Sequence, residues 1–150
     1  SMDHASLIST LAIEPESLRD VAAREALLDV AFGASRWEKT SERLRAGRRP
    51  AFAFTLKLDG RLVGTIRLWH IMAGGAPALL LGPLAVAASH EGRGFGSLLM
   101  RHALQAAAAA GHEAVLLVGD EPYYRRFGFR RDLTENLVLP GPVQRERFLA

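Results

Sequence analysis

Between Ala78 and Val118 the sequence runs through an apolar stretch, a glycine cluster, an alanine-rich helix pattern and a second apolar stretch, and this order constrains the fold more than any other feature. Ala78 to Val86 is so uniformly apolar that it reads as a strand buried on both faces. Ser97 to Ala110 puts Leu98, Leu99, Ala103, Ala106, Ala107 and Ala110 on one side of a helix that Gly111 ends. Its run from Ala106 to Ala110 is close-packing helix rather than low complexity, because alanine has the highest helix propensity. Ala114 to Val118 then reads as a strand. A strand, helix and strand in this order imply a parallel pair, right-handed by strong precedent.

The flanking segments read as antiparallel structure. Leu7 to Ile13 is a first strand, and Glu16 to Phe32 an amphipathic helix with Ser17 at its N-cap and Gly33 as its stop. Ser35 to Ala46 follows as a short charged helix ended by Gly47. Ala51 to Leu58 and Leu62 to Met72 are strand-like, and the Asp59-Gly60 pair between them predicts a tight hairpin. Gly74, Gly75 and Pro77 make a loop. Glu121 to Phe127 allows one or two helical turns, Phe129 onward returns to strand, and Asn136 to Leu139 is a short apolar run before Pro140. The end at Arg147-Phe148-Leu149 suits an edge strand or a truncated terminus, and Ser1 before Met2 reads as an expression scar. With no repeat or linker, residues 1–150 are expected to form one α/β domain on a mixed sheet.

With 150 residues and no cysteine, the chain can build a core without disulfides, and thiolate metal sites and cysteine nucleophiles are excluded. Five scattered histidines lack paired ligand spacing, so no metal is expected. The longest apolar run is broken by Gly82 and Pro83 and falls short of the ~20 residues of a membrane span. No signal peptide is visible, so the expected location is cytoplasmic. The 19 basic residues are 17 Arg and 2 Lys, for a net charge of +3. Arg36, Lys39, Arg43, Arg45, Arg48 and Arg49 form one cluster, and Arg125, Arg126, Arg130 and Arg131 a second. Guanidinium forks suit phosphates. Without interleaved aromatic residues they argue against nucleic acid as the partner.

The cluster His90-Glu91-Gly92-Arg93-Gly94-Phe95-Gly96-Ser97 opens the alanine-rich helix. Glycines there cost about 1 kcal/mol each relative to alanine, a large sum against a net stability of about 5–15 kcal/mol. Close approach by an anion explains them, because glycines expose successive N–H groups where the helix dipole is positive. A phosphate is the expected ligand. The Gly-Lys-Ser/Thr of a P-loop is absent. A dinucleotide fingerprint would need glycine at position 97, where Ser97 stands, although Asp120 lies roughly where a ribose-binding acid would be.

Leu81 to Phe129 resembles the core of the GNAT superfamily of acetyl-CoA-dependent N-acetyltransferases. The family's Gln/Arg-x-x-Gly-x-Gly/Ala signature is met as Glu91-x-x-Gly94-x-Gly96, and its aromatic-Tyr-x-x-x-Gly-Phe element as Tyr123-Tyr124-Arg125-Arg126-Phe127-Gly128-Phe129. The phrasing Leu81-Gly-Pro-Leu-Ala-Val86 and Gly119-Asp120 is similar to a bacterial subgroup of predicted acetyltransferases. The resemblance implies a single-domain, mostly antiparallel mixed sheet with a splayed central parallel pair and flanking helices. It implies acetyl-CoA as co-substrate, with pantetheine along Leu84, Ala85 and Val86 and pyrophosphate on the turn from Glu91 through Gly92, Arg93, Gly94, Phe95 and Gly96 to Ser97. It implies Tyr124 as general acid and a small-molecule or peptide amine as acceptor. The sequence leaves the oligomeric state open, with a homodimer as one option. Glu91 departs from the family's Gln or Arg, and the fourth strand lacks the common glutamate.

Acetyl transfer to an amine needs a neutral amine, a held oxyanion and a proton for the leaving thiolate. An alkyl amine of pKa ~10.4 is only about 1 part in 10³ neutral at pH 7, so a base helps. An N–H near Ala85 or Val86 suits the oxyanion. The base candidates are His70, Asp120, Glu121 and His90, or a water relay. The alternative reading is an acyl-CoA-binding module without catalysis.

Overall fold

The computed structural model describes residues 9–33, 48–134 and 148–150. The expected helix from Ser35 to Ala46 and the apolar run from Asn136 to Leu139 lie outside them, as does most of the first basic cluster.

Six strands form one sheet in the order of the chain: β1 Leu11–Pro15, β2 Phe52–Leu58, β3 Arg61–Ala73, β4 Ala76–Val86, β5 Val115–Val118 and β6 Phe148–Leu149. Every neighbouring pair is antiparallel except β4 and β5, which the helix between them makes parallel. That helix, α2, spans Phe95–Ala109, two residues earlier at its start than its apolar pattern suggests. Helix α1 spans Val21–Phe32, and α3 is the single turn Glu121–Tyr124. The sequence's long first helix is shortened at its start to a 3₁₀ turn over Leu18–Asp20. There the Asp20 carboxylate accepts the Ser17 N–H at 2.8 Å and hydroxyl at 3.1 Å, closing one half of a capping box.

Asp59 (φ 52°) and Gly60 (φ 78°) make the two-residue β2–β3 turn, both in the left-handed region a type I′ hairpin requires. Gly74 and Gly75 close β3 onto β4 in the same way, so Pro77 belongs to β4 opposite Met72 rather than to a loop. Directly after Phe129 the described residues, 130–134, are not the expected strand. The chain forms a 3₁₀ turn over Arg131–Thr134, and Arg130 exchanges two backbone bonds with Ala150 at 2.9 and 3.1 Å.

The two faces of the sheet differ. Phe54, Leu56, Ile66, Leu68, Leu79 and Leu81 pack with Phe95, Leu99, Met100 and Ala103 of α2 in the main core. Arg67, between Ile66 and Leu68, points to the other face, where it meets Glu16 beside α1. Gly64 lies under α2, since a methyl there would stand 2.9 Å from a Leu99 methyl. No helix among the described residues is long and apolar enough to cross a membrane.

Candidate active site

The β4–β5 ladder is short. Leu79, Leu80 and Leu81 pair with Val115, Leu116 and Leu117, and β4 then runs on to Val86 without a partner on that side among the described residues. The parting coincides with a bulge: Leu81 faces Leu68 and Leu84 faces Ile66, so Gly82 and Pro83 together oppose Arg67. Gly82 sits at φ 132°, which favours glycine. Beyond the bulge the Ala87 N–H bonds the Val63 carbonyl at 2.8 Å. Antiparallel alternation then ties Ala85 to β3 and turns the N–H and C=O groups of Leu84 and Val86 into the gap.

At the mouth of this gap a 3₁₀ turn, Ala88–His90, leads into the glycine cluster. Gly92 (φ 80°) and Gly94 (φ 78°) are left-handed, and Gly94 is the N-cap of α2. Nothing lies within 4 Å of a side chain placed on either, so the turn presents open backbone. A cleft of about 440 Å³ borders it, lined by Val86, His90, Glu91, Gly92, Gly94 to Ser97, Tyr123 and Arg126. Positive φ, a helix N-terminus and an open cleft together suit a diphosphate. Glu91 lines the cleft, whereas Arg93 is exposed and does not. The cation at this place is Arg126, whose Nε donates to the Tyr123 carbonyl at 2.8 Å and whose guanidinium lies 4.4 Å from the Tyr123 ring centre.

The two tyrosines stand in different surroundings. Tyr123 lines the cleft, its hydroxyl 3.2 Å from where a Gly96 methyl would stand. Tyr124 is half-buried against the core, edge-on to Tyr123 at 4.9 Å and to Phe129 at 6.2 Å. The Cε2–Cδ2 edge of its ring lies against Gly119, where a methyl would come within 2.3 Å of Cε2. Gly119 follows the end of β5, two residues past the last rung at Leu117, so the Tyr124 ring packs beside that end of β5 and is not among the residues that line the cleft.

The candidate bases scatter. Asp120 is exposed at the N-cap of α3, its carbonyl accepting the Tyr123 and Tyr124 N–H groups at 3.1 Å each. Glu121 is engaged, Oε2 accepting the Arg131 N–H at 2.8 Å. His90 lines the cleft with its Nδ1 2.9 Å from the Ser89 hydroxyl. His70 is not brought to the cleft: its ring meets that of His112 at 5.5 Å, beyond the C-terminal end of α2. The glycine turn is at the other end of that 15-residue helix, about 22 Å away. Among the described residues no three His, Asp or Glu side chains stand together as a metal site would require. Tyr123 and Arg126 line the cleft without a role that the sequence assigns them, although Arg126 belongs to a basic cluster and Tyr123 to the aromatic motif.

Comparison with known proteins gives the same constellation a family. Residues 17–129 match the model of the acetyltransferase (GNAT) family. The uncharacterized N-acetyltransferase YjhQ of Escherichia coli strain K12 is 32% identical over 85 residues, which is 54% of this chain and 47% of that protein. The matched stretch thus spans about half the length of that relative. A GNAT family acetyltransferase from Brucella melitensis, crystallised with acetyl-CoA, is 29% identical with a TM-score of 0.68 over 94% of this chain and 95% of its own. The fold is shared with the Escherichia coli GNAT family protein YhbS, solved with CoA, at TM-score 0.81 and 24% identity over 95% of this chain and 81% of that one. The splayed β4–β5 pair, the glycine turn and the Tyr124 motif are thus features of a chain that belongs to the acetyltransferase (GNAT) family.

Proposed function

We propose that the protein is an N-acetyltransferase that moves the acetyl group of acetyl-CoA directly to a primary amine of a small molecule or peptide. The observation that carries this reading is the meeting of an open glycine turn at the start of α2 with the unpaired end of β4. The residues present fit the co-substrate. N–H groups from Gly92 to Ser97 would hold the diphosphate, with the Ser97 hydroxyl as a further donor and Arg126 as counter-charge. Leu84 and Val86 would pair with the amides of the pantetheine arm, and one of their N–H groups would hold the oxyanion. When bound, acetyl-CoA supplies an activated thioester, and the chain has no cysteine on which an acetyl group could rest.

Tyr124 is the proton donor in this reading. A phenol of pKa ~10 is within about 1.5 units of a thiol of ~8.5, close enough to share a proton with it. Its ring packs against Gly119 and Phe129, and that packing supports a fixed place for the hydroxyl in this reading. Asp120 adjoins Gly119 and takes the proton of the amine, while His70 has no part in the scheme.

Calorimetry with acetyl-CoA, followed by an amine panel read out as free thiol, tests the reading. Binding below millimolar concentration with thiol release is expected, and no binding at millimolar concentration would overturn it. Tyr124→Phe should lower turnover about 10²-fold with cofactor affinity unchanged. The Glu91 carboxylate in the cleft favours one rival, a module that binds acyl-CoA without turnover. Binding with no thiol release across the panel would select it.

A further inference from the structure

The bulge that sends β4 away from β5 is held from the α1 face by one side chain. Trp69 of β3 is 4% exposed, and its indole Nε1 donates to the Gly82 carbonyl at 2.7 Å. Gly82 is the first residue after the last β4–β5 rung, so this bond sits at the vertex of the gap. Inside the bulge the carbonyl cannot serve a regular ladder, and a buried carbonyl without a donor is costly. The indole supplies that donor from a fixed place.

Trp69 is itself fixed. The Arg67 guanidinium lies 5.0 Å from its ring centre. Arg67 donates to Glu16 Oε2 at 3.1 Å, and Arg24 of α1 donates to the same oxygen at 2.6 Å. The three side chains are only 15%, 8% and 10% exposed for Arg67, Glu16 and Arg24. Two guanidinium groups converging on one buried carboxylate set the height of Arg67 over the indole. Glu16, Arg67, Trp69 and Gly82 thus form a continuous series of contacts from the β1–α1 junction to the vertex.

We propose that Trp69 is a positioning residue that sets the angle at which β4 leaves β5, clamped in that role by Arg67 and Glu16. The inference rests on the reading of the gap as the channel for a pantetheine arm. In that reading the angle decides whether the Leu84 and Val86 backbone groups reach the arm. The glycine turn lies at the far end of β4 and has its own supports in α2, so it is indifferent to the indole bond.

Two ligands separate these regions. CoA carries the arm, and 3′-phosphoadenosine diphosphate keeps the diphosphate but lacks it. The native chain should bind CoA at least about tenfold more tightly by calorimetry, one hydrogen bond's worth or more. Trp69→Phe keeps an aromatic ring, smaller than the indole, and removes the donor. It should weaken CoA about five- to tenfold and leave 3′-phosphoadenosine diphosphate within about twofold. Arg67→Met, which keeps the donor and loosens its clamp, should shrink the preference about two- to threefold and serves if Trp69→Phe does not fold. A preference for CoA kept intact in the folded variants, or equal weakening of both ligands, would overturn the inference alone. A native chain that binds the two ligands alike would overturn the reading of the gap and this inference with it.

Discussion

Gly119 has no room for a side chain, and that is a statement about Tyr124. A methyl would lie 2.3 Å from Cε2 and 2.8 Å from Cδ2 of the ring, and 3.1 Å from a Leu117 methyl. The ring is the neighbour that must move. Gly119→Ala should therefore lower turnover about 10- to 100-fold while CoA affinity stays within about threefold, because a small misplacement of a reacting group is costly. Overpacking of about 1–3 kcal/mol should lower Tm by about 3–10 °C. Full turnover with the lowered Tm would remove Tyr124 from the chemistry. A second residue-scale effect concerns sign. Glu91 is a carboxylate on the wall of a cleft that suits a polyanion. Glu91→Gln should tighten CoA binding about three- to tenfold at low salt, with the gain shrinking as ionic strength rises. An affinity that is unchanged at low salt would show that the backbone amides screen the charge already.

At the scale of elements, what the sequence made legible was what leaves a local mark. Asp59-Gly60 is such a mark, because a I′ turn needs two left-handed residues, and the turn is where it was expected. The glycine turn before α2 is another, since left-handed φ at Gly92 and Gly94 selects the residue type. Elements defined by distant partners left no such trace. The β1 ladder runs from Leu11 to Pro15 because those residues face Leu58 to Phe54, with Thr10 fastened by the Asp59 carboxylate at 2.7 Å. Arg130 exchanges its two backbone bonds with Ala150, a partner far along the chain that no local pattern announces. Which of Tyr123 and Tyr124 lines the cleft was also illegible, since a four-residue helix has no periodicity to read. The start of the first helix yields a pH prediction. The Ser17 N–H, foremost, and Lys57 at 3.0 Å hold the Asp20 carboxyl below its ordinary value. A depressed folded value means that its stabilisation is present above about pH 4 and is lost as pH falls through the lower folded value. Asp20→Asn should lower Tm by about 3–6 °C at pH 7 and the deficit should close in melts below pH 4. A deficit independent of pH would assign the effect to packing instead of charge.

For the whole molecule, the gap between β4 and β5 is a break in a sheet that is otherwise continuous from β1 to β6. The three rungs that remain, at Leu79, Leu80 and Leu81, join the β1–β4 part to the β5–β6 part, with α2 packed against the former. A ligand whose own amides occupied the gap would act as a further strand and tie the two parts together. CoA at 100 times its Kd should add about 2.7 kcal/mol to stability, a rise in Tm of about 5–10 °C for a chain of this size. That rise alone would follow from binding anywhere on the surface. Amide exchange locates it. Ala85 is tied to Thr65 and should exchange slowly with or without ligand, whereas Leu84 and Val86 face the gap and should become protected only when CoA is added. 3′-Phosphoadenosine diphosphate should raise Tm less and leave the Leu84 and Val86 amides unprotected. Protection confined to Gly92 through Ser97 with CoA would mean that the arm lies outside the sheet, and the split between β4 and β5 would then need another explanation.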